Sequence, residues 1–599
     1  MLYAQPHPQP LYKKDPSASH KMHHPKPPIA LVRQQSLPLF HSHMASKLLL
    51  LFLSSLLAHS IGLGMTQSVG PVVPYDPCLD LNDYQYRPSE ELPYGRWSFP
   101  DGFVFASATA AYQIEGAANQ SCRGPSVWDR FAHEFPERIA DGSNGDVALD
   151  HYNRLEEDII RMKYMNLDAY RFSISWTRII PYGKIQTGVN EQGIKFYHDL
   201  LDLLEKHGLE PYVTIWHWDT PQALEAEYGG FLSRNIVKDF EDYCDFLFQE
   251  YGHRIKKWIT LNEPVTYVMR GYDEGLHAPG RCSVWANRAC VAGDSATEPY
   301  IVTHNLLLAH AAGYRLYENK YKKQQGVVGI TIVTFYFLPY SGQTADVDAA
   351  QRALDFMYGW YMDPITFGHY PRNMVDLVGS RLPTFTEEES HMLKNSYDYL
   401  GLNYYTTYYA KNNTEFDPVH LRYTRDSQAL TTPEKDGVLI GDQMGSDWQF
   451  LYPDGLRLLL EYTKETYGDH VIYITENGMG TQDDPKQTLA AARTDTMRIT
   501  FYNAHLASIR QAMREKEVKV KGFFAWSYAD NYEWNDGYSV RFGLYYINYT
   551  DISRHPKHSA CWYTSFCRRS QPKGPTDNNL HMITAAGGRK ALRLPTATV

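Results

Sequence analysis

Basic charge is in deficit: 58 Lys and Arg stand against 68 Asp and Glu, a formal net charge of −10. The chain therefore lacks the electrostatic footprint of a nucleic-acid binder. Cysteine is scarce, and seven in 599 residues exclude a small disulfide-framework protein. The odd number leaves at least one thiol free or in an intermolecular bond. The apolar run 48–57 is too short for a membrane span, so no stable span is expected. No glycine-rich phosphate loop follows the first strand candidate, which argues against a doubly wound nucleotide-binding sheet. No His/Cys/carboxylate cluster has metal-ligand spacing, and neither a metal nor a cofactor is expected. Aromatics, by contrast, are plentiful: 14% of residues, with 46 Tyr and 12 Trp. Such rings either fill a large core or form stacking platforms for ring-shaped ligands. Hydrophobic residues at 43% and charged residues at 21% are ordinary for a globular chain and exclude wholesale disorder.

Residues 1–43 hold eight Pro and six His without hydrophobic period and read as a disordered or upstream extension. Met44 opens a segment, residues 44–65, with the parts of a secretory signal: basic Lys47, the apolar run, then Ala58-His59-Ser60. A mature chain beginning between about residues 60 and 70 is expected, routed to the apoplast or vacuole. Sequons at Asn119, Asn412 and Asn548 are compatible with that route. The stretch 569–599 reads as a disordered basic tail. Residues 84–568 show no linker or repeat and are expected to form one domain.

Within that domain, short apolar runs alternate with helical patterns. Strands are expected at 103–106, 169–173, 212–215, 257–260, 329–334, 399–402, 471–474 and 522–525. Helical stretches lie between them, for example at 156–165, 193–207, 237–251 and 493–516. Eight such alternations predict an α/β fold, a single (β/α)8 TIM barrel with long loops over its C-terminal face. In that architecture the polar and aromatic residues at the strand ends converge on one face: Gln113, Arg171, His217, Asn262, Glu263, Asn403, Tyr405, Glu476 and Trp526. A lone glutamate there is usually a solvated loop carboxylate. Two, Glu263 in TLNEP and Glu476 in ITENG, each close an apolar strand where an uncompensated charge is costly. Paired carboxylates serve glycoside hydrolysis, one protonating the leaving oxygen and the other attacking the anomeric carbon or activating water. Arg171 and Tyr405 could keep one of them ionised by charge and hydrogen bonding.

Seven motifs in order carry a resemblance over about 485 residues. They are SATAAYQIEGA (107–117), YRFSISW (170–176), HWDTPQAL (217–224), TLNEP (260–264), GLNYYT (401–406), ITENG (474–478) and DNYEWNDGY (530–538). The chain resembles the plant β-glucosidases of glycoside hydrolase family 1. The resemblance implies a retaining hydrolase acting on O-β-glucosides of plant secondary metabolites, with Glu263 as general acid/base and Glu476 as nucleophile. It implies that Gln113, His217, Asn262, Glu533 and Trp534 grip the sugar hydroxyls, that Trp526 is the platform under the ring, and that Phe542 belongs to the same substrate-binding set. Arg171, Asn403 and Tyr405 match the shell around the nucleophile, and Trp448 matches a wall of the aglycone slot. Cys282 and Cys290 match a loop that plant relatives close with a disulfide; Cys561 and Cys567 are an unassigned second pair.

Trp216, Tyr528, Ala529 and Tyr532 depart from the usual family residues, and their neighbourhood bears on glycone preference. Retention of Glu263 favours O-glycosides over thioglucosides, and Glu533 would repel a phosphorylated sugar. The expected partner is a small-molecule β-glucoside, and a homodimer is compatible with these readings. Two other functions share the same residues: a transglucosidase that passes the sugar from an acyl-glucose donor to an acceptor hydroxyl, and a barrel that binds carbohydrate without turnover.

Overall fold

Short strands of five to seven residues that are buried on both faces and alternate with amphipathic helices suit a parallel sheet covered on both sides, here one closed on itself. The computed structural model, which describes residue 78 and residues 94–569, contains that arrangement. The strands are β1 (Val104–Ala108), β2 (Ala169–Ser173), β3 (Glu210–Trp216), β4 (Lys257–Asn262), β5 (Val327–Val333), β6 (Tyr399–Asn403), β7 (Ile472–Asn477) and β8 (Val520–Trp526). All pair in parallel with their sequence neighbours, and β8 closes on β1 with Val104 opposite Gly522. Each expected strand is present within three residues at either end. Because the strands run longer, Asn262, Asn403, Glu476 and Trp526 lie on the last turns of the barrel wall rather than in the loops beyond it. Tyr212, Tyr399, Tyr473 and Phe524 come from β3, β6, β7 and β8 yet meet at centroid distances of 4.8–5.4 Å. Contact across the ring of strands places them inside the barrel, as side-chain layers that make it a packed core rather than a pore.

The outer helices follow their sequence signals. The helix Glu191–His207 starts at Asn190, whose side chain accepts from Gln192 N, and stops at Gly208 in the left-handed region, the usual pairing of an Asx cap with a C-terminal glycine. It buries Ile194, Tyr197, Leu201 and Leu204, one face at helical spacing. The stretch expected as one helix over 493–516 is two, Leu489–Arg493 and Thr496–Lys516. Asp495 interrupts it, because its carboxylate accepts from Arg498 Nε, Ser559 N and Ser559 Oγ.

The Cys282–Cys290 bridge is present. The unassigned pair is not: Cys561 bonds Cys78, 483 residues away, and Cys567 is a buried free thiol. Cys561 sits on the helix His558–Phe566 and Cys567 directly after it; six residues along a helix point roughly a third of a turn apart, so the two sulfurs do not face each other. Among the sequons, Asn119 is exposed, whereas Asn412 and Asn548 are half-buried, and Asn412 Oδ1 accepts from Arg352 Nη2 at 2.8 Å. The described residues fall within one compact unit, Pro74–Val599. The expected extension and signal segment (1–65) and nearly all of the basic tail lie outside the described residues. Among those residues, no helix is long and apolar enough to cross a membrane.

Candidate active site

The two glutamates occupy the ends of β4 and β7, and irregular backbone aims both. In β7 the pairing shifts register between Ile474 and Glu476 on one side and between Ile474 and Asn477 on the other. A bulge of this kind turns a side chain that regular alternation would leave misdirected. Glu263 adopts φ +43°, ψ +56° immediately before the short helix Pro264–Val268. Trp218 (φ +70°) and Trp534 (φ +56°) beside it share that left-handed conformation. Each such residue costs about 1 kcal/mol or more, and here all three face one cavity. Gly478 belongs to the same construction, since a Cβ there would lie 1.9 Å from the Trp526 carbonyl oxygen.

Glu476 is buried and held at both oxygens. Arg171 Nη1 donates to Oε1 at 2.5 Å and Tyr405 Oη donates to Oε2 at 2.7 Å. Arg171 is itself fully buried on β2, and its other arm, Nη2, donates to Asn262 Oδ1 at 2.6 Å. Removing one member of such a buried pair strands the other charge, at a cost of about 3–5 kcal/mol. Glu263 has a different setting. Asn403 Nδ2 donates to Oε1 at 2.7 Å and Thr266 Oγ1 to Oε2 at 2.9 Å, but among the described residues no cation forms an ion pair with it. Burial, and then the neighbouring Glu476 charge, push its carboxyl up to about 8 against the pull of those two donors. Two chemically identical side chains thus sit in different surroundings, one paired with a guanidinium and a phenol, the other held by an amide and a hydroxyl.

Hydrogen-bond directions around the sugar pocket follow from Arg171. Because Asn262 Oδ1 accepts from Arg171, Asn262 Nδ2 must be the atom that donates to His217 Nε2, at 2.9 Å. His217 therefore carries its proton on Nδ1, a buried donor with no partner among the described residues. Burial, and then the Arg171 charge, hold its pKa well below the usual range and keep the ring neutral. Gln113 shows the same logic. Its Nε2 donates to Asn531 Oδ1 at 2.9 Å and to the Tyr532 carbonyl at 2.8 Å, and its buried Oε1 has no partner among the described residues. An unpaired donor and an unpaired acceptor in a buried site are costly unless a ligand satisfies them, and a sugar edge, with hydroxyls that both donate and accept, does so. Glu533, whose pKa is raised well above the usual by burial and then by Asp536, Glu476 and Glu263, lies 3.5 Å from Gln113 Nε2.

A cavity of about 380 Å³ joins these groups. The rings of Trp526 and His217 lie near-parallel at 6.1 Å, and Trp534 packs on Trp218 at 4.5 Å. Phe542 and Trp448 both meet Tyr405 edge-on. Every residue expected at the site lines the cavity except Gln113, Arg171 and Asn403, which bond residues that do. The departures Trp216, Tyr528, Ala529 and Tyr532 do not line it. Trp216 packs instead against Phe231 and Tyr267, and Tyr528 Oη donates to Asp158. Sequence reasoning missed Trp218, Thr266 and the outer wall formed by Met269, Arg270, Phe335, Met357 and Asp536. Trp218 and Thr266 stand within or just beyond quoted motifs, so proximity could have flagged them. Asp536, inside DNYEWNDGY, could have been flagged in the same way; the other residues come from loops and helix ends whose composition carries no such signal.

Two buried glutamates in such different settings, flanking one cavity with unpaired sugar-edge partners, suit cleavage of a glycosidic bond and place the molecule among the barrel glycosidases. The chain belongs to glycosyl hydrolase family 1, whose model matches residues 96–572. It is 50% identical over 483 residues to beta-glucosidase 12 of Oryza sativa subsp. indica, covering 80% of this chain and 94% of that protein. It is 48% identical over 502 residues to raucaffricine-O-beta-D-glucosidase of Rauvolfia serpentina, covering 80% and 93%. The crystal structure of rice Os3BGlu6 beta-glucosidase superposes with a TM-score of 0.78 at 47% identity, covering 79% of this chain and 99% of that one. The chain is accordingly an O-glycosyl hydrolase of β-glucosidase type.

Proposed function

We propose that this protein is a retaining β-glucosidase in which Glu476 is the nucleophile and Glu263 the acid/base. The unequal settings of the two carboxylates carry the reading. Glu263, with its pKa near 8, holds a proton for the leaving oxygen at neutral pH. As the bond to the aglycone breaks, Glu263 delivers that proton and a Glu476 oxygen bonds the anomeric carbon. Esterification removes the Glu476 charge and with it the repulsion that helped raise Glu263. Having given its proton to the leaving oxygen, Glu263 is then a carboxylate able to take a proton from the water that hydrolyses the ester. Sugar recognition rests on Gln113, His217, Asn262, Glu533 and Trp534 at the hydroxyls and on Trp526 under the ring. A mutant of rice Os3BGlu6 in a covalent complex with glucose, 47% identical to this chain, supports a glycosyl-enzyme intermediate.

The pH dependence follows by sign. The free enzyme needs Glu263 protonated, so kcat/KM is retained below its pKa and falls as pH rises through about 8. Thr266→Val removes a donor that favours the carboxylate, so the alkaline limb should move to higher pH. A pH–rate profile checks this, and a limb that stays put or moves down contradicts it.

The natural substrates are O-β-glucosides of plant secondary metabolites, whose aglycones lie against Trp448 in the outer cavity. Trp448→Ala should raise KM for bulky aryl glucosides by roughly ten-fold, about 1.4 kcal/mol, and leave methyl glucoside little affected. Equal losses on the two substrates would instead mark Trp448 as a glycone or folding residue. Secretion to the apoplast or vacuole is supported by the two disulfides, which persist in oxidising compartments, and N-terminal sequencing of the protein from its host tests the proposed cleavage.

A further inference from the structure

Besides the residues already described, two unlike sets of side chains line the cavity. One is apolar, with Met269, Leu276, Val333, Phe335, Met357 and Trp448. Its aromatic part is a stack: Phe335 lies near-parallel to Tyr408 (5.4 Å, 14°) and to Trp448 (6.0 Å, 10°). The other set holds the charges, Arg270, Glu274, Asp447 and Asp536, with Asn535 among them.

These charges do not balance. Arg270 Nη1 is committed to Glu274 Oε2 at 2.9 Å, one helical turn away, and that pair is neutral. Asp447 and Asp536 have no ion-pair partner among the described residues; the only side-chain donor to Asp536 is the neutral amide of Asn535, at 3.1 Å. Burial raises the Asp536 carboxyl, Arg270 pulls it down, and the Asp447 and Asp141 charges push it up. Counted over this set, one cation stands with three carboxylates, two of which form no ion pair among the described residues. An aromatic stack and carboxylates without ion-pair partners, lining one cavity, fit a flat group with a positive charge, which gains from ring quadrupoles and from the carboxylates together. A carboxylate-bearing group of the same shape keeps the apolar contact but meets two like charges.

We propose that Asp447 and Asp536 are specificity-determining residues that make the outer cavity select β-glucosides of flat, basic aglycones bearing a positive charge over those of anionic aglycones. The inference rests on the β-glucosidase reading and adds to it the charge class of the substrate.

The test uses three phenyl β-glucosides of matched shape, with a para aminomethyl (ammonium), hydroxymethyl or carboxymethyl group. kcat/KM is measured at neutral pH in low and high salt. The wild type should favour the ammonium over the carboxylate substrate by on the order of ten-fold in low salt, with the preference shrinking in high salt. Asp447→Asn and Asp536→Asn should each reduce the ammonium-to-carboxylate ratio several-fold, and the double variant should bring it close to that of wild type in high salt. Leaving-group differences cancel when each ratio is compared between variants and wild type. A flat or inverted wild-type ranking, or one indifferent to salt, overturns the proposal without needing any variant to fold. A ranking kept intact in the folded double variant overturns the assignment to these two residues. Turnover of nitrophenyl β-glucoside separates the levels: its absence in wild type sinks the parent reading, while turnover without charge preference sinks only this one.

Discussion

Glu476→Ala is expected to lose turnover for every glucoside, by on the order of 10⁴-fold or more. The loss should be as severe for dinitrophenyl glucoside as for an alkyl glucoside. Without the carboxylate no covalent intermediate can form, and the quality of the leaving group does not help. Burial sharpens the expectation. Arg171 and Tyr405 place donors on both Glu476 oxygens, so the alanine variant leaves a fully buried guanidinium without its counterion. The variant should also be less stable, by a few kcal/mol, readable as a lower Tm. Glu476→Gln keeps the shape and should lose turnover with less destabilisation, which separates the chemical loss from the structural one. Survival of dinitrophenyl glucoside hydrolysis in either folded variant would remove Glu476 from the reaction centre.

Glu263→Ala should behave differently. Loss of a general acid hurts in proportion to the proton the leaving group needs. Alkyl glucosides should suffer by orders of magnitude, dinitrophenyl glucoside far less in its first step. The second step slows as well, because water loses its general base, and the glycosyl ester should accumulate as a burst. Azide needs no base, so added azide should restore turnover and give the β-glucosyl azide. An α-azide, or equal losses for good and poor leaving groups, would reverse the assignment. Asn403→Ala should act on the same side of the reaction, since Asn403 orients Glu263 at 2.7 Å.

The barrel was readable because its signals are periodic and repeated. Strands such as Ala169–Ser173 are buried throughout, and helices such as Glu191–His207 carry a cap, an apolar stripe and a terminal glycine. Glu263 and Glu476 were readable because a carboxylate closing an apolar strand conflicts with its surroundings unless chemistry requires it. The tautomer of His217 was not readable, because it depends on Arg171, Asn262 and His217 meeting from three strands. The Cys78–Cys561 bridge joins residues 483 apart, and no local pattern encodes such a pairing. The outer wall is the least legible region. Met269 and Met357 reach the cavity from irregular helical turns, Met269–Asp273 and Asp355–Gly359, whose hydrogen bonding is decided by packing rather than by local sequence.

The central claim is that the reaction passes through a glucosyl ester on Glu476. It is tested most directly by incubating the protein with a 2-deoxy-2-fluoro-β-glucoside of dinitrophenol and mapping the label by peptide mass spectrometry. The fluorine slows both steps and the activated leaving group spares the first, so the ester persists. One fluoroglucosyl group per chain, on the peptide containing Glu476 and absent from Glu476→Gln, is the predicted result. A label on Glu263 or another residue, or substrate turnover with no covalent adduct, would contradict the account.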